Sequence, residues 1–151
     1  KMDLNSISIK DVSFGSNVTI VEPVNLYGCS IGNDSFVGPF VEIQKNTTIG
    51  RNTKIQSHSF ICELVKIGDE CFIGHGVMFI NDKFSDGSPA RGDKSKWQST
   101  VISNNVYIGS NSTILPVTIC SDVVIGAGSV VTKDIDKPGT YAGNPARRIK
   151  K

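Results

Sequence analysis

Several things are scarce in this sequence, and each scarcity excludes something. There are two histidines, His58 and His75, and none after His75. The four cysteines, Cys29, Cys62, Cys71 and Cys120, form no CxxC pair, so zinc-type ligand spacing is absent and reduced thiols acting as small hydrophobes are expected. No apolar run approaches the length of a spanning helix. The amino end, "KMDLNSISIKD", lacks the apolar core of a signal peptide, so a cytoplasmic protein is expected. Charge of one sign is also missing. Sixteen basic against fourteen acidic residues leave +2, too balanced to draw nucleic acid or a membrane surface by bulk attraction. Neither a P-loop nor a dinucleotide GxGxxG occurs, and "GAGSVV" reads as a corner rather than a Rossmann turn. Aromatics make only 7% of the chain, which fits an interior with little room for large rings.

What the chain has is a period of six. Counting from Ile31 gives Val37, Ile43, Ile49, Ile55, Ile61, Ile67, Ile73 and Phe79, all apolar. Further runs are Phe14, Ile20, Leu26; Ile102, Ile108, Ile114; and Ile119, Ile125, Val131. Helices repeat near 3.6 residues and strands near 2.0, so neither alone explains the spacing. A chain wound as a three-walled prism does. Each wall takes six residues, and the apolar residue points inward onto its equivalent one coil away. Short strands pair in parallel between coils. Compact β-favouring Ile and Val suit the narrow core, and Gly, Asn and Asp in "IGNDSF", "IGRNTK", "IGDECF" and "IGSNST" suit the corners. Steps of five, Leu26 to Ile31 and Ile114 to Ile119, are expected to tighten a corner each.

One domain, 1–151, is expected. An external loop over 81–100 interrupts the frame, long for a structureless segment and polar in composition. Such excursions often build sites, although a tolerated surface insertion would look the same. A tail over 133–151 leaves the rhythm and is expected to cover the open end of the prism, which would otherwise expose apolar core and strand edges.

"IGSNSTILPVTICSDVVIGAGSVVTKDI", followed by "GTYAGNPARRI", resembles the left-handed β-helix, or hexapeptide-repeat, acyltransferases, and the likeness covers nearly the whole chain. The resemblance implies an all-β, left-handed parallel β-helix, with the handedness supplied by the family and not by the spacing. The stretch "FINDKFSDGSPARGDKSKWQSTVI" resembles the narrower group of N-acetyltransferases of nucleotide-linked amino sugars, through Asn81, Asp82, Pro89, Arg91, Trp97 and Thr100. Ile80 stands where that group more often has Thr, and the interval from Asp82 to Pro89 is longer. The "GHPVHH" loop of galactoside and maltose acetyltransferases is absent, which ranks O-acetylation below N-acetylation. No helical cap of the serine-acetyltransferase kind is expected.

The likeness implies acetyl-CoA as donor, no metal, and a homotrimer with sites in the clefts between prisms. Its acceptor would be the amino group of a nucleotide-linked amino-deoxy sugar used in polysaccharide biosynthesis. An O- or N-acetyltransferase for another small molecule, or a noncatalytic β-helix scaffold, stays open. Asn81 would hold the amine through its side-chain carbonyl and Asp82 the same amine or a sugar hydroxyl, unless both are corner residues. His75 is the candidate proton-transfer group, or else a corner or interface histidine. His58 lies seventeen residues earlier, nearly one coil, and would stand close to it. Glu63, in "CEL", is a candidate substrate residue, or else a solvated edge carboxylate. Arg91 matches a diphosphate, while Lys83, Lys94 and Lys96 are expected to keep the arm soluble. Trp97 either stacks on the nucleobase or pins the arm. Backbone groups around Gly109, Ser110, Ala127 and Gly128 would meet the pantetheine. Lys133, Arg147 and Arg148 would meet its phosphates, in a basic cluster that also includes Lys150 and Lys151 and otherwise reads as a solvated end.

Overall fold

The computed structural model describes residues 1–2, 5 and 8–150; Lys151 of the basic cluster lies outside them. The chain forms an all-β prism with three parallel walls. Wall A has seven strands, from Ile9–Lys10 through Asn25–Tyr27, Glu42–Ile43, Phe60–Ile61, Met78–Phe79 and Thr113–Ile114 to Val130–Val131. Wall B has six, from Ser13–Phe14 to Thr118–Ile119, and wall C has eight, from Thr19–Ile20 to Arg147–Lys150. Successive strands run A, B, C, so each coil crosses three corners, the AB, BC and CA edges.

The six-residue spacing is realised in register. Ile31 lies against Ile49, Ile49 against Ile67 and Ile67 against Ile102 in wall B. In wall C, Val37, Ile55, Ile73, Ile108 and Ile125 stack in the same way. These side chains are almost wholly buried, and Phe79 fits the column as its one large ring. Phe14 does not share that burial. It is 43% exposed, because it ends its column and stacks only on Ile31.

The core holds a second inward position, two residues before each large one. Ser35, Val41, Thr47, Thr53, Ser59, Val65, Cys71 and Val77 fill it, all buried. Its hydroxyls form a ladder between coils. The Ser35 hydroxyl donates to Gly50 O at 2.8 Å and accepts from Thr53 N–H at 3.1 Å. Thr53 then donates to Gly68 O at 2.8 Å and accepts from Cys71 N–H at 3.1 Å. The small polar side chains thus satisfy corner backbone groups that the strands cannot reach. Thr100 sits in this column between Val65 and the Val117 coil, where its hydroxyl has no partner among the described residues. Its place is in the core, not the site.

Corners turn through a left-handed residue three places after the inward one: Asp34 (φ 59), Asn46 (φ 57), Asn52 (φ 49) and Asn111 (φ 60) are examples. Asn and Asp tolerate this conformation. Every departure from six falls on the AB edge. The five-residue steps are there, as are the 81–100 loop and the short step from Val131 to Ile135. The frame also runs further than the sequence pattern suggests. Ile135 bridges Ile119, and Tyr141 pairs with Ile125, so Ile135 and Tyr141 begin one more coil. The chain then turns back, and Arg147–Lys150 runs antiparallel to Gly139–Ala142. Ala146 N–H donates to Val130 O, and Tyr141 and Ala146 pack against the core. The terminal coil is thereby covered.

All four cysteines are free thiols. Burial pushes Cys29 up to about 11 and Cys62 up to about 12 from 9.0. Three sit inside, and only Cys120 is part-exposed. In a thiol-exchange assay of the native protein we expect Cys120 to react alone, with the others following unfolding. A thiol whose pKa is raised by folding contributes stability that is complete below its unfolded value and lost as pH rises through the folded one. Denaturation midpoints should therefore fall from pH 9.0 upward, towards about 12, and Cys62→Val should flatten that slope.

Candidate active site

The AB edge carries a cavity of about 450 Å³ beneath the 81–100 loop. Phe60, Cys62, Phe79 and Ile80 form its apolar wall, Gln44, Asn81 and Asp82 its polar rim, and Phe84 and Trp97 reach it from the loop. Gln44, Cys62 and Ile80 each follow an inward residue of wall A in consecutive coils, so the stacking itself brings them together. Raised to about 12, the Cys62 thiol stays protonated and is no nucleophile.

Asn81 forms the neck of the loop. Its carbonyl accepts from Gln98 N–H at 2.9 Å. Its Nδ2 donates to Glu63 O at 3.2 Å, which leaves Oδ1 without a donor among the described residues. Asp82 acts as a staple. One carboxylate oxygen accepts from Phe84 N–H at 3.0 Å and the other from Ala90 N–H at 2.7 Å. That engagement sets the start of the loop and turns Phe84 into a left-handed conformation (φ 51) over the cavity. Glu63 is not a solvated edge carboxylate: it is 7% exposed, and Lys94 Nζ lies 3.1 Å from each of its oxygens. Lys94 in turn stands 5.3 Å from the centre of the Trp97 ring. Arg91 is exposed, further along the loop.

His75 lies elsewhere. It follows Ile73 at the CA edge, whereas Asn81 follows Phe79 at the AB edge, so wall A separates them. His58 is at the same edge as His75, one coil away: Gly76 N–H donates to Ser57 O at 3.0 Å. Its ring packs on Phe40 with centroids 4.9 Å apart. The column continues through the next coils. Asn111 N–H donates to His75 O at 2.8 Å, and Gly128 N–H to Ser110 O at 2.8 Å. A Cβ on Gly109 would come within 2.5 Å of Ala127 N, so the coils touch backbone to backbone there. His75, Gly109, Ser110, Ala127 and Gly128 therefore line one edge. Lys133 is not with them, because it follows Val131 at the AB edge. Arg147 and Arg148 lie in the terminal strand of wall C, where Arg148 Nη2 donates to Pro138 O at 2.6 Å.

Sequence reasoning passed over Gln44, Phe60, Cys62, Phe84 and Lys94. The first three were within reach of eighteen-residue counts, one back from Met78 to Phe60 and two back from Ile80 through Cys62 to Gln44. For Phe84 and Lys94 no spacing signal existed, since the loop is aperiodic. A second depression of about 480 Å³ opens on wall C beside Asn52, Lys54, Phe72 and Tyr107. Phe36, Lys54, Phe72, Tyr107 and Val124 follow one another in register there, a largely apolar outer stripe.

Residues 28–63 match the family described as bacterial transferase hexapeptide (six repeats), and residues 100–133 match the hexapeptide repeat of succinyl-transferase. A variant of AntD, an N-acyltransferase from Bacillus cereus solved with dTDP and coenzyme A, superimposes with a TM-score of 0.82 and 27% identity, over 91% of this chain and 82% of that one. This chain carries the hexapeptide repeats of bacterial transferases. As in that family, the prism is a left-handed β-helix. Another structural relative is the hexapeptide-repeat acetyltransferase VCA0836 from Vibrio cholerae O1 biovar eltor, solved with acetyl coenzyme A. It has 28% identity and a TM-score of 0.69, over 82% of this chain and 70% of that one. Among curated proteins, the bifunctional protein GlmU of Clostridium botulinum is 34% identical over 122 residues, which is 80% of this chain and 24% of GlmU. The chain thus spans about a quarter of the curated relatives it matches. Among the described residues, no helix is long and apolar enough to cross a membrane.

Proposed function

We propose that this protein moves an acetyl group from acetyl-CoA to the amino group of a nucleotide-linked amino-deoxy sugar. The observation carrying this reading is the likeness to AntD over nearly the whole chain, a relative also solved with dTDP-4-amino-4,6-dideoxyglucose and coenzyme A. The loop cavity supports it. Its apolar wall of Phe60 and Ile80 suits a deoxygenated sugar face, and Asn81 Oδ1 is an acceptor for a neutral amine. Trp97 offers a broad face for the base, and Arg91 a charge for the diphosphate.

The donor lies along the CA edge, where Gly109, Ser110, Ala127 and Gly128 present backbone to the pantetheine. Because wall A separates His75 from Asn81, a complete site needs the CA edge of one prism beside the AB edge of another. A closed homotrimer meets this need, since each head-to-tail contact then joins unlike edges. The apolar stripe on wall C supports such packing. Lys133 would then serve the donor held by the adjoining copy, alongside Arg147 and Arg148. The amine nitrogen attacks the thioester carbon, the C–N bond forms, and the C–S bond breaks. His75 or the departing thiolate takes the ammonium proton, and hydrogen-bond donors at the edge steady the oxyanion.

The test is release of CoA thiol from acetyl-CoA across a panel of nucleotide-linked amino sugars and their hydroxyl counterparts. We expect release with amino acceptors alone. Equal release with the hydroxyl sugars would mean O-acetylation, and no release with any acceptor would mean a scaffold.

A further inference from the structure

Glu63 is a buried carboxylate for which the reaction has no use, and three of its groups are already held. Its N–H donates to Gln44 Oε1 at 3.2 Å, its carbonyl accepts from Asn81 Nδ2 at 3.2 Å, and its carboxylate receives Lys94 Nζ at 3.1 Å on both oxygens. Gln44 and Asn81 line the acceptor cavity, and Lys94 reaches it through Trp97. Gln44 is itself fixed, because its Nε2 donates to Glu42 Oε2 at 2.9 Å. One residue on the prism thus touches every polar side of the cavity except Asp82.

The loop needs such a point. Between 83 and 99 only Ala90 is buried, so little apolar area holds the arm down. Lys96 pairs with Asp86 inside the loop at 2.6 Å, whereas Lys94 crosses from the loop to the prism. Lys94 starts the short 3-10 turn Lys94–Lys96, fixed by the Asp93 side chain, which accepts from Ser95 N–H at 3.1 Å. Placing a carboxylate in the interior is costly unless a partner meets it. Glu63 therefore favours the loop position that delivers Lys94.

We propose that Glu63 and Lys94 form a latch that seats the 81–100 loop and so sets the shape of the acceptor cavity, with both acting as positioning residues. The proposal rests on the functional reading above for its kinetic consequence, but not for its structural one. Lys94 leaves the role of solubilising charge, and Glu63 leaves that of a substrate ligand.

Trp97 is the only tryptophan in the chain, so its fluorescence reports the loop without any substrate present. In K94Q, E63Q and the double variant, we expect red-shifted Trp97 emission and about twofold greater quenching by acrylamide, with K94R close to the parent. The acceptor KM should rise about tenfold in each single variant, with the double no worse than either and the acetyl-CoA KM within about twofold. Lys94 is half exposed, so K94Q is expected to fold even if E63Q does not. Unchanged Trp97 emission and quenching in K94Q would overturn the latch. So would an E63Q effect on acceptor KM that K94Q lacks, since Glu63 would then be meeting the substrate itself. A Trp97 shift without turnover of any amino sugar would uphold the latch and reject the functional reading instead.

Discussion

Co-expression of His75→Ala and Asn81→Ala subunits is expected to return activity that neither variant has alone. In the proposed homotrimer, each variant alone should lose about a hundredfold in kcat/KM, the scale of losing one catalytic hydrogen-bonding or proton-transfer group. In mixed trimers some sites draw His75 from an Asn81→Ala chain and Asn81 from a His75→Ala chain. With equal and random mixing about a quarter of the sites are intact, so about a quarter of parental activity should return. The reason is geometric. His75 follows Ile73 and Asn81 follows Phe79, so the two sit at opposite edges of wall A. Rotamers cannot close the width of a wall. The rate of the mixed preparation, compared with separately purified variants combined without subunit exchange, decides the matter. A mixed preparation no better than the two variants alone would place the whole site within one chain.

Gly32→Ala is expected to have a large effect on stability away from the site. A Cβ at Gly32 would lie 2.6 Å from Gly50 C and 2.7 Å from Arg51 N, backbone atoms of the next coil. No side chain can swing away to make room. Either the BC edge opens, breaking the Gly32 N–H to Ile49 O bond of 2.9 Å, or the strain spreads along the stack. Overpacking of this kind costs about 3 kcal/mol, which is about 6–12 °C of melting temperature at this size. Gly87→Ala is the control. Its φ of +82 strains any side chain, but nothing lies within 4 Å of the added carbon. It should cost only about 1 kcal/mol. Equal melting shifts for the two would mean that backbone conformation, not coil contact, sets the requirement for glycine.

The walls were readable because each inward residue repeats the demand of the one below it. Ile49, Ile67 and Ile102 occupy one column, and the chain records that column as a fixed interval. The corner chemistry was equally local, since Asn52 and Asn111 adopt left-handed backbone at sites where few other residues do so cheaply. The second inward position was less visible, because Ser, Thr, Cys and Val share it. Their common property is size, and their hydrogen bonds run to the next coil rather than along the sequence.

The loop was another matter. Its existence and its Asn81, Asp82 and Trp97 could be picked out, but not what each touches. Asp82 binds its oxygens to Phe84 and Ala90, and Lys94, one of several lysines that looked interchangeable, reaches Glu63. Such contacts depend on how an aperiodic segment folds back in space, which no interval records. By itself, then, the sequence determined a three-walled column, because a repeated burial requirement writes a repeated residue type. Only the tertiary structure decided which edge carries the cavity, that His75 and Asn81 stand a wall apart, and which charges meet. Those facts arise from stacking coils and docking a loop, through contacts between residues far apart along the chain.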